Sequence, residues 1–456
     1  METAGMRNDL TEGVIWRKLL RFFFPILLGT LFQQLYNTVD AIIVGQFVGT
    51  LALAAVGGSA ALIINLIVGF FVGLSSGAMV IISQFYGAND RSRLSDAVHT
   101  AIAFAVAAGA LLTVLGILLA PWALALVHNP PDIMADSVLY LRIYFVGMIP
   151  SLLFNIGSGI LRAVGDSKRP LYYLIICCVL NIVLDIVFVT VFKMGVAGVA
   201  WATVAALTVS AALILHNLCA TDAIYQLRLK ELRMRESSLS RMLYIGIPAG
   251  VQSAMYSVSN LLIQAAINDL GTPVVAAWTT TGKLDGVYWS VSSSFGVAIM
   301  AFTGQAFGAG KYDRMKRSVR VCMGMALGAA VVISTLLLTL GKYGFRIFTD
   351  DPVVIAYAVE MLGYFVPFYF VWSFIEVLSN ALRGAGDAMW PMMITIVGIC
   401  GLRVLWTIFV VPSWHTIMGI SMCYPFTWIV TALAFIVYYR KSNWLNRCAA
   451  SLSPHA

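Results

Sequence analysis

The side chains best placed to do chemistry are a few acids and amides set in long apolar sequence. Within residues 22–44, Gln33, Tyr36, Asn37 and Asp40 recur at i, i+3, i+4 and i+7, which puts all four on one face of an α-helix. Within 170–192, Asn181 and Asp185 are four apart and again share a face, and Thr203 stands early in the next apolar stretch. Ionisable groups in hydrocarbon cost several kcal/mol and mark pathways or relays. Asp40, Asp185 and Thr203 fall at similar depth in the outer half of their segments, so their oxygens can converge. Two carboxylates in such a pocket repel, and one of them then takes up a proton near neutral pH. Alternatively the oxygens of Asp40, Asn181, Asp185 and Thr203 form a hard-ligand set suited to Na⁺, or each Asp only bonds a neighbouring helix. Asn155, with Ser158, gives 134–161 a polar stripe that could line the same cavity from deeper down.

The second half of the chain is polar in a different way. Residues 242–267 carry Ser253, Tyr256, Ser257, Asn260 and Gln264 on one face, with no carboxylate. Lys283 and Asp285 lie two residues apart in 273–304, about 200° around a helix, so they cannot pair on one face. Interhelical ion pairs are expected for them, with Arg403 as another partner. Glu376 shares a face with Ser373, Ser379 and Arg383. Met and aromatic side chains can line a cavity that adapts to varied apolar cations; Tyr36, Met255, Tyr256, Tyr288 and Trp289 are candidates for that lining, with Gln33, Asn37, Asn155, Asn260, Gln264, Asp285 and Glu376 as the candidate polar groups of the substrate cavity.

What positions these residues follows from composition. Of 456 residues 60% are hydrophobic and 11% charged, less than half the charge of an ordinary soluble domain, and mean hydropathy is +0.88. Cytosolic enzymes, nucleic-acid-binding proteins and disordered scaffolds are excluded. Apolar windows long enough to cross hydrocarbon run at 22–44, 52–82, 96–120, 134–161, 170–192, 196–218, 242–267, 273–304, 319–341, 353–381, 390–412 and 416–439. The fold class is therefore an all-α polytopic membrane protein of twelve helices, here numbered 1 to 12. The runs are continuous, not alternating, which excludes a β-barrel. Met1 to Arg21 is expected to be a retained surface segment and not a signal peptide.

Of 29 Lys and Arg, 23 fall in the terminal segments and in alternate loops on one side, three (Lys193, Lys342, Arg346) on the other, and Arg142, Lys283 and Arg403 within helices. That asymmetry puts both termini in the cytoplasm. The net charge of +8 is explained by topology and anionic lipid, without a nucleic-acid partner. Seven cysteines show no CxxC spacing and five histidines are scattered, so they read as packing residues and not as a redox or metal site.

A shift of 221 residues superposes the chain on itself. Gln84-Phe85-Tyr86-Gly87-Ala88 falls on Gln305-Ala306-Phe307-Gly308-Ala309, Leu161-Arg162-Ala163-Val164-Gly165-Asp166 on Leu382-Arg383-Gly384-Ala385-Gly386-Asp387, Pro170 on Pro391 and Gly198 on Gly419. Pro25 corresponds to Pro248, with the register displaced within a turn. Six helices return the chain to its starting side, so the copies are parallel repeats, a transporter architecture with substrate sites near the midplane. The expected division is an N-terminal lobe at 1–218, a basic connector at 219–241 with Gln226 to Arg241 helical on the surface, a C-terminal lobe at 242–440 and a tail at 441–456. Asp166 and Asp387 belong to short turns and are expected to cap the following helix.

Pro25 followed by Gln33-Gln34-Leu35-Tyr36-Asn37-Thr38-Val39-Asp40, the paired Gln-x-x-Gly-Ala and Leu-Arg-x-x-Gly-Asp motifs, and Leu180-Asn181-Ile182-Val183-Leu184-Asp185 resemble the multidrug and toxic compound extrusion (MATE) family, in its DinF-like bacterial branch. The resemblance covers essentially the whole chain. It implies a V-shaped fold of two six-helix lobes, a cation-coupling site at Asp40, Asp185, Asn181 and Thr203, a bend of helix 1 at Pro25, and export of organic cations against H⁺ or Na⁺. Other branches use an acid on helix 7, which is missing here. The expectation is a monomeric, multi-pass antiporter of the bacterial inner membrane that takes small drug-like molecules and needs no cofactor beyond its coupling ion. The rival is a lipid or lipid-linked oligosaccharide flippase of the same superfamily, whose cavity should be richer in Arg and Lys. An enzyme is excluded by the lack of HExxH, GxSxG, a phosphate loop or a His–carboxylate cluster, and a channel by the duplication.

Overall fold

In hydrocarbon every backbone amide must find its partner within the segment or across a closed barrel, so long apolar runs become helices. The computed structural model describes residues 10–452, and among them there is no strand. The first nine residues of the predicted surface segment and the end of the predicted tail, 453–456, lie outside the described residues. The helices are Ile15–Val48, Thr50–Gly87, Arg91–Leu126, Pro131–Val146 continued by Met148–Ala163, Lys168–Val191 and Gly195–Ala220, then Glu236–Asn268, Thr272–Gly308, Tyr312–Phe345, Pro352–Gly384, Met389–Phe409 and Ile417–Lys441. These are helices 1 to 12; they contain nine of the twelve predicted windows whole, while 170–192 and 390–412 run one and three residues past the ends of helices 5 and 11, and 416–439 begins one residue before helix 12. A short helix, Trp444–Leu452, follows.

Among the described residues nine helices are long and apolar enough to cross a membrane, or ten if the two parts of helix 4 count as one span. Helix 4 bends by 50° at its break. Its cause is local, because Pro150 has no amide hydrogen for the carbonyl of Val146 and its ring collides with that turn. Helices 7 and 8 have the length but fall outside that apolar set, and they are the spans bearing the Ser, Asn, Gln, Lys and Asp side chains noted above.

The chain divides into two compact units, one holding Phe24–Gly250, the other Thr11–Phe23 and the residues from Val251 on. Helices 1 and 7 each contribute to both, and each passes from one unit to the other beside a proline, Pro25 and Pro248. In the first unit, the start of helix 7 packs so closely on helix 2 that a Cβ on Gly77 would lie 2.2 Å from the Met242 carbonyl oxygen, and one on Gly246 2.5 Å from that of Leu74. In the second, the start of helix 1 meets helix 8, with Phe23 stacked on Phe295 at 4.1 Å. Leu74 and Phe295 are repeat equivalents, so the duplication makes the same crossing twice, once through glycine and once through stacked rings.

The turns repeat as well. Gly165 (φ 88°) and Gly386 (φ 103°) take the left-handed conformation that glycine adopts without strain, as do the equivalent Asn89 (φ 54°) and Gly310 (φ 67°). Asp166 Oδ1 accepts from the amides of Lys168 at 3.0 Å and Arg169 at 3.2 Å, capping helix 5 as expected. Asp387 instead anchors the end of the chain: Tyr438 donates to its Oδ2 at 2.5 Å, and Arg447 of the last short helix donates to Tyr438 at 2.5 Å. Burial raises the Asp387 carboxyl above its usual range, against the opposing pull of Tyr438 and Arg447.

Two expectations are corrected. Helix 1 begins at Ile15, so Trp16 to Arg21 extend the span instead of forming a separate surface segment. The connector is not a surface helix. Only Leu229–Glu231 makes a single 3₁₀ turn before helix 7 starts at Glu236, because the segment is bound to the start of helix 3. The amide of Arg228 donates to His99 Nε2 at 3.0 Å while His99 Nδ1 faces the Ser95 carbonyl at 2.7 Å. The amide of Arg235 donates to Thr100 Oγ1 at 3.1 Å, and Arg233 and Arg235 pair with Asp96.

Candidate functional site

Helices 1, 5 and 6 bring Asp40, Asn181, Asp185 and Thr203 together within the first unit. The period of 3.6 residues explains why Asn181 and Asp185 reach the same point from helix 5, and both are fully buried. The Asn181 amide stands between the acids. With its nitrogen turned to them, the orientation that satisfies it, it donates to Asp40 Oδ1 at 3.1 Å and to Asp185 Oδ2 at 3.3 Å. Its amide also lies 3.4 Å from Thr203 Oγ1. The two carboxyls are thus held against one amide, and Asp185 Oδ1 is buried with no partner among the described residues. Such a set can share a proton, or offer hard oxygens to a monovalent cation. A second feature marks the place: the last turn of helix 5, Val187–Val191, widens to a π-helical turn directly after Asp185, a distortion common at functional sites.

Tyr36 joins this group, with its hydroxyl in reach of Thr203 and within electrostatic reach of Asp40, Tyr144 and Tyr140. Tyr140 lies within electrostatic reach of both acids. These two helix 4 tyrosines were missed from sequence, although their i, i+4 spacing is a legible signal. Gln33 and Asn37 are exposed on helix 1. Asn155 donates to the Ser151 carbonyl of its own helix at 2.9 Å, and Ser158 Oγ is buried without a partner among the described residues; no bond ties either to the acids. Pro25 is buried within an unbroken helical segment, Ile15–Ile43.

The second unit holds a cavity of about 260 Å³. Its aromatic walls are Trp278 and Trp289 of helix 8, Phe365 of helix 10, and Tyr424 and Trp428 of helix 12. Its polar groups are Asn260 and Gln264 of helix 7 and Thr281 and Asp285 of helix 8. Asp285 is 8% exposed. Trp289 Nε1 donates to its Oδ2 at 2.7 Å and the Tyr369 hydroxyl donates to its Oδ1. Tyr369 is held in turn by its stack on Tyr288, with ring centroids 3.8 Å apart, and by accepting the Tyr288 hydroxyl at its carbonyl. Tyr288 therefore supports the wall instead of lining it.

The structure corrects the expected ion pairs. Asp285 has Trp289 and Tyr369 as partners, not Lys283 or Arg403. Lys283 is exposed and sits 5.6 Å from the ring centroid of Phe348. Arg403 donates to Asn260 Oδ1 at 2.9 Å and lies 4.4 Å from the ring centroid of Tyr424. Of the other predicted cavity residues, Tyr256 packs near Trp372 at 6.1 Å, and Met255 is half-buried on helix 7. Glu376 bonds Asn380 at 2.9 Å, in a buried network continued by Arg383 to Gln252 at 2.7 Å and by Gln252 to Thr395 at 3.3 Å. The candidates thus fall into an acid cluster in the first unit and an aromatic cavity and a buried polar network in the second. Of the cavity's lining, Asn260, Gln264, Asp285 and Trp289 were legible in the sequence, whereas Trp278, Thr281 and the walls from helices 10 and 12, Phe365, Tyr424 and Trp428, were not.

The MatE family model matches twice, over residues 25–187 and 248–409, which reproduces the internal duplication. A probable multidrug resistance protein of Bacillus subtilis, YoeA, is 28% identical over 96% of this chain and 97% of its own length. The probable multidrug resistance protein NorM of Thermotoga maritima is 24% identical over 85% of this chain and 84% of its own. Among solved structures, a MOP superfamily transporter from Pyrococcus furiosus superposes with a TM-score of 0.87 at 21% identity, covering 99% of both chains. A multidrug resistance MATE family transporter in an outward-facing conformation gives 0.86 at 21% identity, again over 99% of both.

Proposed function

The chain belongs to the MatE family, and from that premise we propose that it is a secondary antiporter that expels amphipathic organic cations in exchange for H⁺ or Na⁺. It is a polytopic membrane transporter, not an enzyme. The relatives are named for multidrug resistance, which supports small drug-like substrates. The observation that carries the coupling is the acid cluster, where Asp40 and Asp185 both accept from one amide while an oxygen of Asp185 stays unpartnered.

Coupling needs two ligands whose occupancies oppose each other. An ionised Asp40–Asp185 pair attracts a cationic substrate into its lobe. A proton or Na⁺ arriving from outside neutralises one of those two charges, and the weakened attraction releases the substrate. The incoming ion is a co-substrate held by Asp40, Asn181, Asp185 and Thr203, and no other cofactor is required. One elementary charge moving inward at about 100 mV contributes about 2.3 kcal/mol from the membrane potential. Tyr36, Gln33, Asn37 and Asn155 are assigned to the substrate path of the first lobe, and Pro25 to the hinge, since a proline in a membrane helix makes a bend cheap. The charge asymmetry of the loops supports both ends in the cytoplasm, and a monomer in the bacterial inner membrane is part of the same proposal.

The test is efflux of a fluorescent cation from proteoliposomes, driven either by a Na⁺ gradient at clamped pH or by a pH gradient without Na⁺. One gradient is expected to drive transport in the native chain, and neither in Asp40→Asn or Asp185→Asn. Near-normal gradient-driven efflux in both variants would remove the proposal.

A further inference from the structure

We propose that the start of helix 9 and the end of helix 12 form a binding site for the anionic headgroup of a phospholipid, its phosphate held by Lys316, Arg317 and Arg320. The proposal needs only that the chain spans a membrane, and it is independent of the coupling at Asp40 and Asp185. The three cations crowd into neighbouring turns of helix 9, with Arg320 four residues from Lys316 and three from Arg317. Like charges at those spacings repel. All three are exposed, and none forms an ion pair among the described residues. Asp313, one turn earlier, pairs with none of them.

The duplication shows what the same place does in the first unit. Ser95, Asp96 and His99 are the repeat equivalents, and the connector covers them: Arg233 and Arg235 pair with Asp96, and the Arg228 amide donates to His99 Nε2. The second unit keeps the place and reverses its charge. Its own leading segment docks elsewhere, where Lys311 Nζ donates to Thr11 Oγ1 at 3.1 Å and Arg314 donates to the Glu12 and Gly13 carbonyls at 2.6 and 3.0 Å. A basic seat without its strap is complementary to an anion.

What makes that anion a lipid is the surface beside it. Val331 and Leu338 stand three and five helical turns beyond Arg320, on the same face, and are 57% and 48% exposed. This face meets hydrocarbon, and the cations stand at its edge, where headgroups lie. Helix 12 ends beside them. Tyr439 lies within electrostatic reach of Arg320, and its ring centroid is 5.4 Å from that of Trp444, an aromatic pair of the kind that sits at headgroup depth. Arg440 and Lys441 add exposed charge at the end of the helix. A soluble phosphate gains from the cations alone, whereas a phospholipid gains from the cations, the rings and the apolar face together.

The purified full chain in neutral detergent is titrated with phosphatidylglycerol and phosphatidylcholine in equal amounts, and the lipid retained is read by native mass spectrometry. The native chain is expected to prefer phosphatidylglycerol about a hundredfold, since each cation near an anionic surface is worth about 1 kcal/mol, or about fivefold in affinity. Each of Lys316→Gln, Arg317→Gln and Arg320→Gln should lower the preference about fivefold, and the triple variant should erase it. Arg91→Gln, Lys168→Gln and Lys230→Gln together remove the same charge from other exposed positions and should leave the preference intact. Free glycerol phosphate in excess should not displace the retained lipid. A native chain without preference, an equal loss in the two triple variants, or displacement by glycerol phosphate, which would make this a site for soluble phosphate, overturns the proposal. Should the triple variant fail to fold, the single variants decide. The measurement uses no gradient, so loss of efflux in Asp40→Asn or Asp185→Asn leaves its result unchanged.

Discussion

Replacing Asp185 by Asn is the most demanding perturbation of the coupling proposal, because the amide keeps the shape of the side chain and deletes only its charge. Asp40 Oδ1 and Asp185 Oδ2 both lie within 3.3 Å of one amide nitrogen. Unit charges roughly 5 Å apart at an effective dielectric of about 20 repel by about 3 kcal/mol. A cation bound between them relieves that repulsion, and at about 1.4 kcal/mol per decade the relief is worth about a hundredfold in ion affinity. Asp185→Asn should therefore raise the ion concentration for half-maximal efflux about a hundredfold, or abolish coupled efflux within the accessible range. The assay is proteoliposome efflux of a fluorescent cation, titrated with Na⁺ at fixed pH and with pH in the absence of Na⁺. Asp40→Asn should match it, and the double variant should add little, since the two acids act as one unit. Coupled efflux with an ion dependence within about threefold of native in Asp185→Asn would refute the electrostatic reasoning.

Three further outcomes follow from the packing and the turns. Gly77→Ala sets a methyl 2.2 Å from the Met242 carbonyl and should cost about 1–3 kcal/mol, read as a fall in the thermal midpoint in detergent, whereas Gly324→Ala, with open space around its Cβ, should be neutral or stabilise by about 0.5–1 kcal/mol, read as an unchanged or higher midpoint. His99→Ala removes the acceptor of the Arg228 amide, and trypsin should cut the connector at Arg228 to Arg235 about tenfold faster, as expected for about 1–1.5 kcal/mol of local protection lost; an unchanged cleavage rate would count against the bound connector. Because burial raises the Asp387 carboxyl, the folded chain holds that proton more tightly than the unfolded one, so its contribution to stability is complete at pH below the ordinary carboxylate range and is lost as pH rises above it. Asp387→Asn, which mimics the protonated form, should then match or exceed the native midpoint at pH 8, with the advantage vanishing towards pH 4.

The sequence by itself determined the spans, their number and their duplication, because a bilayer leaves the backbone no alternative to helices and their apolar length is written in one dimension. It also placed Asn181 with Asp185, and Tyr36 with Asp40, since the helical period alone settles which residues share a face. Only the tertiary structure decided who meets whom across helices. Lys283 and Asp285, neighbours in sequence, turned out to face a Phe348 ring and a Tyr–Trp pair. Arg403 met Asn260 and Tyr424 from 143 and 21 positions away. The cavity walled by Trp278, Phe365 and Trp428 exists because three separated helices close around it, and no spacing along the chain encodes that closure. The connector shows the same division: its basic charge was legible, but its extended path was set by the acceptors His99 and Thr100 on another helix, which compete with the local hydrogen bonds a surface helix would have made.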